Sequence, residues 1–539
     1  MQNSAYKPWT QWYDDKVNNL NLPMVSLYSL LENTAERFPH HNAIIFKDRM
    51  IDYKTLKKQV DKLAASWKDI GFEKGERIGL MMANHPLFIV SYYAAHALGL
   101  TVVQVNPMYT LRELLEIIKD TQMPYIVFDQ QASQTIKAAQ VEYQFKVCMS
   151  IEDRTGGTKS ISEMIEYEKE IDHPVQINPL EDIAVIQYTG GTTGKIKGAM
   201  LTHYNLTSNA LQSITLYGDT IVPGEEVIFL TAPLYHAQAM TASMNVGIYL
   251  GATILLFSKF ELQSFFENVK KYRPTFFGGV PKMYNEIIKH PEVEKYGLGC
   301  LKICVSASAP LPADIIKRFH ELTGVTILEG FGISEASPST HRNPSNKTKL
   351  GSIGIPFPGT DCKIVDDKNK ELGVNEIGEL LIKGPQIMKG YLNNEKETKL
   401  ALQNGWLHTG DLARMDEEGF FYIAGRKKEM IIVGGFNIYP QEVEEVLYEY
   451  PGIKEAAVVG IPSPEFGEEV KAYLVPRDGA TINIDDVKKY CYTKLTRYKV
   501  PKKYEIMQEL PRNTVGKILK RILVKKEVDS SEEKQKSPI

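Results

Sequence analysis

Cysteine is scarce in this chain: Cys148, Cys300, Cys304, Cys362 and Cys491 are scattered through 539 residues, and only Cys300 and Cys304 lie close together. With no second pair beside them a zinc site is not expected, and so few thiols suit a reducing compartment. An excess of one charge is missing as well. The 63 Lys and Arg against 66 Asp and Glu leave no whole-chain field to gather nucleic acid, which is not an expected partner. No apolar run is long enough to span a membrane. The best candidate, FIVSYYAAHALGLTVVQV from Phe88, contains His96 and Gln104 and falls short of the ~20 apolar residues required. It reads as a buried helix running into a strand. The opening MQNSAYKPWTQWYDD has no apolar core of the signal-peptide kind, so the cytoplasm is the expected address. Internal repeats are absent.

What is present is an ordinary globular composition, 43% hydrophobic and 24% charged, in a chain long enough for several cores. From Leu27 to about Ala424, helical stretches alternate with short apolar runs such as NAIIF, RIGLMMA, YIVFD, EVIFLTAPL and ATILLF. That alternation predicts an α/β fold of parallel sheets covered by helices. Between Gly351 and about 425 the texture changes to short alternating segments separated by glycine, predicting a small β-rich subdomain that closes a domain over 1–425. After GRKKEMII, a helix near PQEVEEVLYEY, strands at KEAAVVGI and VKAYLVP, a helix near IDDVKKYCYTKL and a strand at KYEIMQEL predict a small α+β domain over 429–525. The charged segment 526–539 is expected to be a disordered tail.

One stretch stands out, YTGGTTGKIKGAMLTH from Tyr188. It follows the apolar run IAVIQY and precedes a helix-compatible YNLTSNALQSI, which places it at a strand-to-helix transition. Backbone N–H groups of such a loop converge on phosphate oxygens, because glycine lets the ligand approach. Thr189, Thr192 and Thr193 add hydroxyl donors beyond the needs of a surface turn, and Lys195 or Lys197 adds charge. A Walker A loop is excluded. That motif has four residues between its glycines and Ser or Thr after its Lys, whereas Gly190 and Gly194 have three between them and Ile196 follows Lys195.

The stretch resembles the phosphate loop of the acyl-adenylate-forming superfamily, Tyr-Thr-Ser-Gly-Thr-Thr-Gly-x-Pro-Lys-Gly, departing at Gly190 and Ile196. Further motifs of that superfamily follow in order: EGFGISEASP from Glu329, WLHTGDLARMDEEGFFYIAGRKKEM from Trp406, VGGFNIYP, and LPRNTVGKILKR. The resemblance extends from about Leu27 to Leu523 and is closest to fatty acyl-CoA ligases. It implies that Thr189, Gly190, Gly191, Thr192, Thr193, Gly194 and Lys197 hold phosphates, with Thr192 beside Mg2+. Gly330, Phe331, Gly332 and Ser334 would form the adenine segment, Phe331 stacking on the base. Glu335 would bind Mg2+, Asp411 would accept ribose hydroxyls, and Arg426 would pair with ribose or phosphate oxygens. Lys428 matches the superfamily's hinge, over 426–428, about which the small domain turns between half-reactions. Gly434 and Gly435 match the loop that passes the pantetheine thiol, and Lys517 matches the catalytic lysine.

The implied reaction joins a carboxylic acid to CoA at the expense of ATP, through an acyl-AMP intermediate. The acid is read from weaker signals. TAPLYHAQAM from Thr231 supplies Tyr235 and His236 but no acidic group to pair an amino acid's ammonium. His236 reads equally as a gate, a hydrogen-bond donor near the carboxylate, or a packed core residue. Gly278, Gly279, Ala307 and Ala309 either leave a tunnel for an alkyl chain or pack backbone tightly. A medium- or long-chain fatty acid is the expected substrate. The alternatives are an aryl acid, a carrier protein in place of CoA, a light-emitting oxidation, and a catalytically silent nucleotide-binding protein. The sequence is compatible with peripheral membrane contact and with a homodimer, and decides neither.

Overall fold

The computed structural model of the chain describes residues 7–14, 17, 20–152, 158–190, 196–307, 311–433, 436–463, 465–512 and 517–527. It forms two compact units: Met1–Asp361 with Ile382–Leu407 and Glu418–Phe420, and Cys362–Leu381 with His408–Glu417 and Phe421–Ile539. The β-rich stretch expected over 351–425 is shared between them.

Among the described residues the first unit carries a nine-stranded and an eight-stranded sheet. In the nine-stranded sheet the strands Thr253–Leu256, Val227–Leu230, Phe276–Gly279, Ile303–Ser306 and Ile327–Gly332 are successive parallel neighbours. The loops leaving their carboxyl ends, 231–236, 280, 307 and the segment after 329, therefore share one edge. Ligands of open parallel sheets bind at this edge. In the eight-stranded sheet, parallel strands from Val147–Ser150 to Ile183–Gly190 end in an antiparallel pair, Ile183–Gly190 with Ile196–Thr202. Gly390–Tyr391 adds to the outer side of the latter.

The glycine and threonine stretch thus does not lead directly from strand to helix. It joins two antiparallel strands, and the helix His203–Tyr217 starts only after Thr202, in a capping box. There the Thr202 hydroxyl accepts from the Asn205 N–H at 3.2 Å and the Asn205 side chain accepts from the Thr202 N–H at 2.9 Å. Cross-strand packing decided this. A Cβ on Gly198 would stand 2.8 Å from Ile186 and 3.2 Å from Tyr188, so glycine lets the returning strand lie close to its neighbour.

The segment FIVSYYAAHALGLTVVQV falls in the helix Pro86–Ala97 and the strand Thr101–Gln104. Every residue of that helix is buried, which explains the absence of a polar face. No helix among the described residues is long and apolar enough to cross a membrane. In the second unit, the helices Pro440–Glu449 and Ile484–Lys494 and the strands Ile453–Ser463, Gly467–Pro476 and Lys503–Ile506 match the expected α+β order. A last helix over 520–527 runs two residues into the stretch expected as tail, and 528–539 lie outside the described residues.

Of five histidines that the first unit encloses, His96, His203 and His341 are buried and His85 and His236 half-buried. Burial lowers His85, His203 and His236 to about 4 and His341 to about 3, and holds His96 well below its ordinary value. All are neutral in the fold, and unfolding lets each take a proton below about pH 6.5. Stability is therefore fully present above that pH and is lost as pH falls from 6.5 toward 4. Glu329, raised to about 6 by burial, and Glu32, also raised by burial, oppose this. Urea unfolding at pH 7 and pH 5 is expected to show markedly lower stability at pH 5. His203→Gln should flatten the slope by about one proton, up to ~1.4 kcal/mol per pH unit.

Candidate functional site

Of the expected phosphate-holding residues, the paired strands Ile183–Gly190 and Ile196–Thr202 of the first unit bring Thr189, Gly190 and Lys197 together at their facing ends. Thr189 pairs with Lys197 across the strands, and Gly190 with Ile196. Gly191, Thr192, Thr193 and Gly194 lie outside the described residues. The short turn Ser334–Ala336, which carries Glu335, packs on both hairpin strands. Between Lys197 and Glu335 stands a residue that the motif reading missed. Tyr391 donates its hydroxyl to Glu335 Oε1 at 2.8 Å, and the Lys197 ammonium lies 4.9 Å from the centre of its ring. Burial, followed by the Glu335 charge, holds this phenol well above its ordinary range. It therefore remains a donor. Lys197 is also ion-paired with Glu397. No local pattern links Tyr391 and Glu397 to the hairpin, because pairing of Gly390–Tyr391 with Met200 and Ala199 delivers them.

Glu335 is a hard oxygen donor of the kind Mg2+ takes in nucleotide sites, where one or two carboxylates act together with phosphates. Among the described residues no group of three or more His, Cys, Asp or Glu could hold a metal ion.

Along the shared sheet edge, Gly330, Phe331 and Gly332 end the strand Ile327–Gly332 and pair with Arg342, His341 and Ser339. A Cβ on Gly332 would stand 2.5 Å from the Pro338 carbonyl oxygen, so this position requires glycine. Phe331 is half-buried, its ring edge-on to His341 at 6.2 Å. The preceding Glu329 accepts from the N–H groups of Leu311 and Gly351 at 3.2 and 3.4 Å. The loop with Tyr235 and His236 is held by Asn84, which accepts from the Leu234 N–H at 2.7 Å and donates to the Ala232 carbonyl at 3.0 Å. With its pKa about 4, His236 is a neutral imidazole at neutral pH, and its buried Nε2 makes no hydrogen bond among the described residues. The two glycines of this strand differ in their surroundings. A Cβ on Gly279 would press on Tyr284 and Phe277 at 3.0–3.1 Å, whereas one on Gly278 meets only Phe276 at 3.8 Å. Ala309 lies outside the described residues.

In the second unit, Asp411 and Arg426 face each other in register on the paired strands Trp406–Met415 and Phe421–Arg426, with Arg426 Nε 2.7 Å from Asp411 Oδ1. Their neighbour Glu379 accepts from the Gly410 N–H at 3.1 Å and pairs with Lys427, also at 3.1 Å. Lys428 is exposed and stands between Phe421–Arg426 and Ile431–Val433, strands of two different sheets. Gly434 and Gly435 lie outside the described residues. On either side of Lys517, the Leu519 N–H donates to the Pro511 carbonyl at 2.8 Å and Ile518 forms a bridge with Arg512. Lys517 has an exposed surface, yet its ammonium is crowded enough by protein to be partly desolvated. That desolvation, then the Arg426 charge, lowers its pKa, while Asp411 and Glu429 pull it up.

Arg426→Gln is accordingly expected to raise the Lys517 pKa and Asp411→Asn to lower it. The pH of half-maximal labelling of Lys517 by an amine-reactive reagent, followed by peptide mass spectrometry, reads both directions. Equal values in the two variants would contradict this electrostatic coupling.

The AMP-binding enzyme family model matches residues 31–392, and that of the AMP-binding enzyme C-terminal domain matches 442–517. The chain is 39% identical to a long-chain-fatty-acid–CoA ligase of Bacillus subtilis (strain 168), over 98% of this chain and 99% of that one. It is 34% identical to a long-chain-fatty-acid–CoA ligase of Salmonella typhimurium, over 92% and 94%. Its fold superposes on the crystal structure of the anthranilate CoA ligase AuaEII in complex with anthranoyl-AMP, with a TM-score of 0.88 and 25% identity over 96% and 99% of the two chains. A likeness that runs through both units, in sequence and in fold, places the chain in the AMP-binding enzyme family, the acyl-adenylate-forming enzymes that its motifs resemble.

Proposed function

We propose that this protein is an AMP-forming fatty acid–CoA ligase acting on a medium- or long-chain acid, with ATP, Mg2+ and CoA as its other reactants. The observation that carries the reading is the meeting of Lys197 and Glu335 at Tyr391, an ammonium for phosphate and a carboxylate for Mg2+ on one phenol. Full-length likeness to long-chain-fatty-acid–CoA ligases supports the choice of acid. The open side of Gly278 at the sheet edge favours an alkyl chain in the same way, since each buried CH2 contributes about 0.8 kcal/mol.

In the first half-reaction an oxygen of the acid's carboxylate attacks the α-phosphorus of ATP. The bond from that phosphorus to the β-phosphate bridging oxygen breaks, and pyrophosphate leaves with the electron pair. Thr189, Gly190, Gly191, Thr192, Thr193, Gly194 and Lys197 hold the departing phosphates, and Lys517 offsets charge on the α-phosphate. When bound, Mg2+ lessens repulsion between the phosphates and the incoming carboxylate, with Glu335 and Thr192 as its protein oxygen donors. Gly330, Phe331, Gly332 and Ser334 cradle adenine, and Asp411 and Arg426 hold the ribose. In the second half-reaction the CoA sulfur attacks the acyl carbon and the thiol loses its proton. AMP leaves. Lys428 is the pivot between the two half-reactions, and Gly435 lines the path of the thiol. Neutral above pH about 4, His236 acts as a polar gate beside the acid and supplies no charge to it.

The reading carries a cytoplasmic setting, which five free thiols suit. Contact with a membrane surface while acquiring an insoluble acid, and assembly as a homodimer, fit it as well.

The test is AMP and acyl-CoA formation across straight-chain acids from acetate to oleate, with benzoate and an amino acid alongside. A maximum at medium or long chains is expected. Lys517→Ala should lower acyl-AMP formation by about 10²-fold or more while sparing transfer from preformed acyl-AMP to CoA. Activity with benzoate alone would move the substrate to aryl acids, and adenylate formation without transfer to CoA would make a carrier protein the acceptor. Gly278→Ile is expected to shift the chain-length maximum to shorter acids with an unchanged melting temperature. An unaltered profile would remove Gly278 from the acyl path.

A further inference from the structure

Lys197 has a protein anion as its partner. Its ammonium is paired with the Glu397 carboxylate, and the two side chains are only 15% and 33% exposed. The carboxylate is presented by a fixed scaffold. Glu397 lies in the first turn of the helix Glu395–Ala401, where its N–H donates to the Asn394 side chain at 3.2 Å. The Tyr391 N–H donates to the Thr398 hydroxyl at 2.8 Å, which ties this helix to the strand beside the hairpin. The Tyr391 ring under the ammonium keeps Lys197 at this place whichever anion it meets. A carboxylate and a phosphate oxygen are alternative partners for one ammonium. A carboxylate left beside a bound phosphate repels it.

We propose that Glu397 is a positioning residue that competes with phosphate oxygens for Lys197, and so sets how tightly the enzyme holds ATP and how readily it releases pyrophosphate. The proposal rests on the reading of Lys197 as a phosphate-holding residue. Glu397 itself touches no reacting atom. Its effect passes through Lys197, weakening the ground-state grip on the triphosphate and favouring departure of the pyrophosphate product.

The test is equilibrium binding of inorganic pyrophosphate and of MgATP, by calorimetry, to the full chain and to Glu397→Gln, Lys197→Ala and the double variant. Glu397→Gln is expected to bind pyrophosphate about fivefold more tightly, with a lower KM for ATP and a lower kcat as product release slows. That gain should vanish in the Lys197→Ala background. Glu397→Asp keeps the charge with a shorter reach and should fall between wild type and Glu397→Gln, which preserves the comparison if the melting temperature of Glu397→Gln shows a folding defect. Unchanged or weaker pyrophosphate binding in folded Glu397→Gln, with Lys197→Ala still impaired, would overturn the competition and leave the Lys197 reading standing. Wild-type pyrophosphate affinity in Lys197→Ala would remove the phosphate role of Lys197, and the competition with it.

Discussion

A single protonated phenol organises the charged end of the hairpin in the first unit. Tyr391 gives its hydrogen to Glu335 and its ring face to Lys197, so one side chain orients an anion and a cation without neutralising either. A direct ion pair between Lys197 and Glu335 would join the two charges to each other, whereas here Lys197 pairs with Glu397 instead. Because burial and the Glu335 carboxylate keep the phenol protonated, the direction of that hydrogen bond is settled. The hairpin register, the turn Ser334–Ala336 and the strand Gly390–Tyr391 all have to be in place for it to form.

In the first unit desolvation depresses the pKa values of five histidines, and the helix Pro86–Ala97 has no polar face. Polar atoms serve to hold loops, as Asn84 does for the segment with Tyr235 and His236. The parallel strand order puts that segment, Gly278 and the Glu329–Gly332 segment on one edge.

The second unit manages charge differently. Asp411 and Arg426 are paired across a strand register, and Glu379 holds both Lys427 and the backbone of Gly410. Lys517 feels this set as opposing pulls on its pKa. Its ammonium is tuned by Asp411 and Arg426, which strand pairing places opposite each other.

The motifs named most of the candidate residues, because glycine, threonine, lysine and carboxylate at short fixed spacing carry their chemistry locally. Alternation of apolar runs was likewise enough for the α/β class and for the order of the small α+β unit. Sequence alone thus determined the family and the class of fold, and named candidate residues for phosphate, adenine and ribose. It could not show that the glycine stretch joins two antiparallel strands, since Ile196–Thr202 is made a strand by its long-range pairing with Ile183–Gly190. Nor could it separate Gly278 from Gly279, whose difference lies in which face of one strand meets Tyr284. Tyr391, Glu397, Glu379 and Asn84 had no local signal, for their partners lie tens to hundreds of residues away. Only the tertiary structure decided what each charge faces, because hydrogen bonding and burial depend on neighbours that chain distance does not encode.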